Sequence, residues 1–221
     1  MKILVVGEIG QLEESRRKLG EHDYGHATSH EAAANFVRES EVVFDFLIGA
    51  KPEAMQMYIP ETLAVFVNSW MVPMGVLCRG SRDTMKCTVF GFNGFPTMFN
   101  REYLEVSLLK PEEAPALKKI CAELKTEYLV VEDRVGFVTP RVIAMIINEA
   151  YYTVQEGTAS RGDIDLAMKL GTNYPYGPFE WCERIGLRNV YILLEALHDD
   201  TKDERYKISA LMKTEYQRLR G

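Results

Sequence analysis

Cysteine is sparse: Cys78, Cys87, Cys121 and Cys182 stand far apart with no Cys-x-x-Cys pair, which leaves neither a disulfide framework nor a zinc-ribbon spacing. Free thiols in a cytoplasmic protein are expected. Long apolar runs are missing too; none approaches the ~18 residues of a membrane span, and the opening MKILVVG is far too short for a secretory signal. No membrane partner is expected. Positive charge is in the minority, with 26 Lys and Arg against 32 Asp and Glu. The basic clusters Arg16-Arg17-Lys18 and Lys118-Lys119 are short enough to be solvated helix faces, so no nucleic-acid partner is expected either. His22, His26 and His30 are spaced by four, a metal-like arrangement on a helix, but Gly25 and the strand-like surroundings argue against a helix there. No metal is expected.

What is present is an ordinary globular composition, 221 residues with 47% hydrophobic and 26% charged, enough for one or two domains. In the first part short apolar runs alternate with helix-prone segments. Ile3 to Val6 closes at Gly7; a helical segment from Gln11 to Leu19 stops at Gly20. A second strand is expected over 23–28 and a helix over 30–38. Further strands are expected over 42–48 (VVFDFLI), 63–67 and 87–92, with a helix starting after Pro52. Alternation of this kind implies an α/β fold with a parallel sheet. After a last strand near Leu129 everything is helix-like. Ile143, Ile146, Ile147, Ala150, Tyr151 and Val154 recur at three- and four-residue spacings, which predicts one apolar helix face ended by Gly157. Ser160 with Asp163 predicts a cap for a helix ending before Gly171, Pro178 the first turn of another that Val190–Leu197 continues beyond Gly186, and 203–219 a closing helix. The expected organisation is an α/β domain over 1–130 and an all-helical domain over 131–221.

Two stretches of the second half carry a resemblance. DRVGFVTPR at 133–141 and EGTASRGDIDLAMKLGTNYPYGPFEWCERIGL at 156–187 are similar to the interdomain signature and the C-terminal domain of the 3-hydroxyacyl-CoA dehydrogenases, 3-hydroxybutyryl-CoA dehydrogenase-like. The resemblance implies a Rossmann-like sheet domain, here shortened, followed by a helical domain that supplies a homodimer interface. It also implies NAD as cofactor and a 3-hydroxyacyl-CoA as substrate. DFLIGAKPE at 45–53 is similar, weakly, to the family strand beside the nicotinamide, which implies Ala50 and Glu53 as cofactor-binding residues.

The same resemblance exposes departures. A dinucleotide turn needs G-x-G-x-x-G, so that backbone can approach the pyrophosphate and the helix can pack on the strand. The turn here has Gly7 and Gly10, but Ile9 and Leu12 stand at the second and third glycine positions, with Glu8 and Glu13 adding negative charge. A cradle filled by Ile9 or Leu12 would exclude the cofactor, and no ribose-binding acid follows the second strand, which runs into Ala27, Thr28 and Ser29. NAD binding is therefore expected to be weak or lost. In GFNGFPTMFNREYLE (91–105) the resemblance places Asn93 where the family has its catalytic histidine and Glu105 where it has the orienting glutamate. An amide has no titratable proton near neutral pH and cannot serve as the base. By itself Glu105 reads equally as a helix-terminal or strand-edge carboxylate paired with Arg101. Pro140 replaces an active-centre asparagine, or simply opens a helix. Asn68 and Ser69 fall near the family's substrate-facing serine. Tyr174, Tyr176 and Trp181 pack a loop between helices or wall an acyl pocket. The expected function is an acyl-CoA-metabolism protein of this family with impaired or absent dehydrogenase activity that binds an acyl-CoA-like ligand or a partner; the alternative is an active NAD-dependent 3-hydroxyacyl-CoA dehydrogenase.

Overall fold

The apolar runs become the strands of a seven-stranded sheet in a computed structural model that describes residues 1–219. In chain order these are β1 (Lys2–Val6), β2 (Asp23–Ala27), β3 (Val42–Asp45), β4 (Ala64–Asn68), β5 (Thr88–Phe92), β6 (Tyr103–Leu108) and β7 (Glu127–Val130). Their spatial order is β2-β1-β3-β4-β5-β6-β7. The first five are parallel, β6 runs antiparallel to β5, and β7 is parallel to β6. A full dinucleotide fold places two strands beyond the first on the side of the order reversal; only β2 stands there here, so the shortening is the loss of an outer strand.

Alternation of side chains across the pleat builds two cores. Leu4, Val6, Val43, Val65, Val67 and Val89 face one layer, an aliphatic one. Ile3, Val5, Phe44, Phe66, Phe90 and Phe92 face the other. On that face Phe44 stacks on Phe66 at 4.6 Å, and Phe66 meets Phe90 at 5.0 Å, a ladder along three adjacent strands. Helices α1 (Ile9–Leu19) and α4 (Ala114–Glu123) cover it with Leu12, Leu19, Leu117 and Cys121. The short helices α2 (His30–Ala33) and α3 (Met74–Leu77) contribute Ala33, Met74 and Leu77 to the aliphatic side.

Several expectations shift. The strand expected over 42–48 ends at Asp45, whose carboxylate accepts the Leu47 N–H at 2.8 Å and turns the chain. The helix expected over 30–38 breaks into α2 and a 3-10 turn at Val37–Glu39, and the segment after Pro52 is a 3-10 helix, Pro52–Met57. β6 was not foreseen; it lies between β5 and β7, so Glu105 is on an interior strand and not an edge.

The chain divides at Phe137, the sheet unit being Met1–Phe137 and the helical unit beginning at Val138. The division falls beyond 130 because the connecting stretch is tied to the sheet unit. Val131 N–H donates to Val106 O at 2.8 Å, and Gly136 N–H donates to Trp70 O at 2.6 Å. Asp133 caps α3 with both carboxylate oxygens, accepting Met74 N–H and Gly75 N–H at 2.9 Å each.

The helical unit consists of α5 (Thr139–Gln155), α6 (Arg161–Thr172), α7 (Pro178–Ile185), α8 (Leu187–Thr201) and α9 (Ala210–Arg218). Pro140 sits in the first turn of α5, where a missing N–H costs nothing. The buried face of α5 is Ala144, Ile147, Asn148, Ala150 and Tyr151, so Ile147, Ala150 and Tyr151 lie where expected, with Ile143, Ile146 and Val154 only partly covered. The face is rotated because a polar residue lies inside it: Asn148 donates to Lys207 O at 2.8 Å and accepts Ser209 N–H at 3.0 Å. Ser160 caps α6 through Asp163 N–H at 3.2 Å, but the helix continues through Gly171 and stops at Asn173 in the left-handed region. Gly186, at φ +89°, separates α7 from α8, which are two helices rather than one. The closing segment is a 3-10 turn at Glu204–Tyr206 followed by α9.

The signature stretch holds α6 to α7. The Asp165 carboxylate accepts Phe179 N–H at 2.8 Å and Glu180 N–H at 3.2 Å, which satisfies the free amides at the start of α7. Glu180 accepts Gly177 N–H at 3.0 Å and pairs with Lys169. A Cβ at Gly177 would stand 2.3 Å from Asp165 Oδ1, so the approach demands glycine. No helix among the described residues is long and apolar enough to cross a membrane.

Candidate functional site

Ligands of open α/β sheets bind at the carboxyl ends of the strands, where the order reverses. Here the reversal lies between β1 and β3. After β1, the Gly7 N–H donates to Ala27 O at 2.9 Å, while His26 Nε2 lies 2.9 Å from Gly7 O. The next amide, Glu8 N–H, donates to the Gln11 side-chain oxygen at 2.8 Å. Gln11 Oε1 reaches to 2.2 Å of the place where a Cβ on Gly7 would be. Ile9 points outward, 59% exposed, and Leu12 turns into the core. Neither therefore fills the turn; Gln11 does. Gly10 is open on all sides and approaches nothing.

The crevice beside it is filled as well. Asp45, at the end of β3, is fully buried and lies 2.9 Å from His30 Nε2 and 2.9 Å from the Tyr58 hydroxyl, which donates to it. Burial and the Asp45 carboxylate together push the Tyr58 phenol far above its usual range. After β2 come Thr28 and Ser29, and Ser29 caps α2 by accepting Ala32 N–H at 3.2 Å. No carboxylate stands there for a ribose. Ala50 and Glu53 lie exposed in the 3-10 turns that follow β3, with Lys51 between them paired to Glu31. A pyrophosphate needs free N–H groups and room, and this turn offers neither at Gly7 and Glu8. At Gly7 and Glu8 the turn is closed by Ala27 and Gln11 rather than open to a pyrophosphate.

At the ends of β4, β5 and β6 the structure brings Asn68, Ser69, Asn93 and Glu105 to one region. Asn93 is 2% exposed and Glu105 8%. Asn93 Nδ2 donates to Glu105 Oε2 at 3.1 Å, its Oδ1 accepts Phe95 N–H at 3.2 Å, and its own N–H donates to Glu105 O at 3.0 Å. The amide is held at both ends, which fixes its orientation and leaves it no part in proton transfer. Asn68 bridges neighbouring strand ends, accepting Gly94 N–H at 2.9 Å and donating to Phe46 O at 3.3 Å. A Cβ at Gly94 would lie 2.7 Å from the Asn68 amide, so the pair is locked. Ser69 and Ser107 are buried with hydroxyls that meet no partner among the described residues, and both crowd the position a Cβ on Gly91 would take.

Pro140 belongs to the helical unit, at the start of α5. Tyr176 and Trp181 pack edge to face at 4.9 Å with Arg184 over the Tyr176 ring, and Tyr174 is exposed. All four cysteines are buried, and burial pushes Cys78 and Cys121 up to about 12 and Cys87 and Cys182 up to about 11. They are not nucleophiles. Sequence reading missed Gln11 and the Asp45 cluster. Both left a signal: Glu-x-x-Gln is a capping pattern at the start of a helix, and an aspartate inside VVFDFLI is a charge in a buried strand.

The 3-hydroxyacyl-CoA dehydrogenase C-terminal domain matches residues 136–220. By this unit the chain is similar to the 3-hydroxyacyl-CoA dehydrogenases. A 3-hydroxyadipyl-CoA dehydrogenase of Escherichia coli K12 is 45% identical over 85 residues, 38% of this chain and 18% of that protein. A probable 3-hydroxybutyryl-CoA dehydrogenase of Deinococcus radiodurans is 31% identical over 147 residues, 66% of this chain and 53% of that one. The chain thus spans about half or less of these relatives' length. In fold it is similar to the (S)-3-hydroxybutyryl-CoA dehydrogenase of Ralstonia eutropha, with a TM-score of 0.76 at 18% identity over 96% of this chain and 92% of the other. A FadB2 structure from M. tuberculosis gives 0.82 at 15% identity over 98% and 93%. The family's members are NAD-dependent dehydrogenases of a Rossmann-like sheet followed by helices.

Proposed function

We propose that the chain is a 3-hydroxyacyl-CoA dehydrogenase-like protein of acyl-CoA metabolism that binds an acyl-CoA-like ligand and has lost efficient hydride transfer. The observation that carries this reading is the Asn93 carboxamide, clamped between the Glu105 carboxylate and the Phe95 N–H where the family places its base. Absence of a general base costs ~10²–10⁴-fold in rate. The Gln11-filled turn supports weak or lost NAD binding. In this reading Ser69, a buried hydroxyl without a partner among the described residues, and Asn68 beside it are the groups that meet the ligand. Pro140, with no side-chain donor, contributes no polar contact.

One observation favours a second reading, an active NAD-dependent dehydrogenase: Glu105 still stands 3.1 Å from residue 93, as an orienting carboxylate would. Calorimetric titration with NAD, NADH and acetoacetyl-CoA, with NADH oxidation followed in the same samples, separates them. Acyl-CoA binding without nucleotide binding or turnover is expected. Turnover that falls on Glu105→Ala would overturn the first reading and restore the second.

The helical unit is assigned a homodimer interface. Leu166 and Leu170 lie four residues apart on α6 and stay exposed, Leu170 to 78%, an apolar stripe that a second copy would cover. Sedimentation equilibrium should give a dimer, and Leu170→Lys should give a monomer; a wild-type monomer would refute the assignment.

A further inference from the structure

Strand β2 is the outer strand of the sheet, and its free side pairs with no other strand among the described residues. Asp23 N–H donates to Met1 O at 3.1 Å and Ala27 O accepts Gly7 N–H at 2.9 Å, so Asp23, Gly25 and Ala27 turn their backbone groups to β1. Successive residues of a strand turn these groups opposite ways. Tyr24 and His26 therefore offer their N–H and C=O groups outward, and none of the four meets a partner among the described residues. Proline, lysine or a bulge commonly guards an exposed edge; β2 reads Asp-Tyr-Gly-His-Ala in unbroken register and has none of them. The outer strand that a full dinucleotide fold carries at this place is the one missing here.

The two faces beside the edge differ. Gly25 faces the aliphatic layer, where a Cβ would lie 3.4 Å from Leu4 Cδ1. Because it has no side chain, a cleft of about 160 Å³ opens beside it, walled by Phe36, 45% exposed. Asp23 and Glu39 outnumber Lys2 in the lining of this cleft, so it disfavours an acid. On the opposite face Tyr24 and Arg16 line a cleft of about 510 Å³. The Arg16 guanidinium lies 5.7 Å from the centroid of the Tyr24 ring. Glu21 lines the same cleft but does not pair with Arg16, which makes no ion pair among the described residues. A strand laid against β2 presents alternate side chains to the two faces. The edge therefore sorts them, an apolar one to Gly25 and Phe36 and a carboxylate to Arg16.

We propose that β2 accepts a strand from a partner protein, an extended segment in which branched apolar residues alternate with Glu or Asp. Tyr24 and His26 supply the main-chain hydrogen bonds, and the two clefts read the alternation. The surface is independent of the Asn93 region and of the reading given to it.

The test is calorimetric titration of the full chain with the blocked heptapeptide Ser-Glu-Ile-Glu-Ile-Glu-Ser, which should bind saturably with a Kd of about 10–100 µM. The same peptide N-methylated at its three central residues, which blocks both of its edges, and the version with Lys for Glu should each bind at least about tenfold more weakly. Arg16→Glu, at an exposed position, should weaken the acidic peptide about tenfold and strengthen the Lys version. His26→Pro removes an outward N–H without touching the ladder to β1 and should weaken the acidic peptide about tenfold, with the melting curve reporting that the fold is kept. Equal binding of the N-methylated peptide would overturn strand addition, and equal binding of the Lys version would overturn the acidic partner. No saturable binding up to about 1 mM would overturn the site. Self-association that His26→Pro abolishes, with no peptide bound, would overturn the proposal in favour of a second copy at this edge.

Discussion

The signature stretch of the helical unit and the carboxyl edge of the sheet unit treat their polar side chains in the same way, and only the first lies in the stretch that matches the 3-hydroxyacyl-CoA dehydrogenase domain. In the first, Asp165, Lys169, Gly177 and Glu180 are spent on holding α6 to α7, and the family pattern is intact. In the second, Gln11, Asp45 and Asn93 are likewise satisfied from within, but at positions where a dinucleotide and a base would be required. A motif whose residues hold the chain together testifies to the fold. It says nothing about a reaction, which depends on groups left unpaired for a ligand.

The largest effect should come from Gly177→Ala, which drives a methyl group into Asp165 and strips the cap of α7. A loss of about 2–4 kcal/mol in chemical denaturation is expected; a loss under half that would mean the signature is less structural than the comparison holds. Asp165→Ala removes the same cap without the clash and should cost about 1–2 kcal/mol. At the sheet edge, Asn93→His restores the imidazole beside Glu105 but not the nucleotide turn. Stability should fall by about 1 kcal/mol from overpacking, with no NADH oxidation gained; turnover from this single change would break the contrast.

The smallest effects are opposite in sign in the two units. The Lys169 ammonium, and then the Gly177 N–H, hold the Glu180 carboxyl below its ordinary 4.5. Its stabilising effect is present above that value and lost as pH falls through the depressed one. Burial raises Glu113, whose Oε2 meets no partner among the described residues. Its native state retains the proton longer, so its destabilising effect grows as pH rises above 4.5 and disappears on acidification. Melting followed from pH 7 to 3 should show a shallower acid loss for Glu180→Gln and a higher neutral plateau for Glu113→Gln.

Strands and caps were legible where chemistry was local. Continuous β-branched runs gave β1, β4 and β5, and Ser160 and Pro178 marked helix starts that the structure places within a residue. Strand β6 was illegible because Glu105 and Ser107 alternate with its apolar residues, a pattern that suggests exposure, while both faces are in fact covered. The inner face of α5 was legible at Ile147, Ala150 and Tyr151 but not at Asn148, which is buried by partners some 60 residues away in sequence. The pairing of Asn93 with Glu105 was visible from spacing and resemblance. The filling of the turn by Gln11 was not, because it depends on where a flexible side chain comes to rest.

Asp133 has a practical consequence for dividing the chain. An excision made at 130, where the last strand ends, would take Asp133 away from α3 and leave the Met74 and Gly75 amides without their acceptor, along with the Trp70 carbonyl that Gly136 serves. Cut after Phe137, the sheet fragment keeps its own clasp. The boundary of the sheet unit is thus set by the Asp133 carboxylate and the Gly136 amide rather than by the end of a strand.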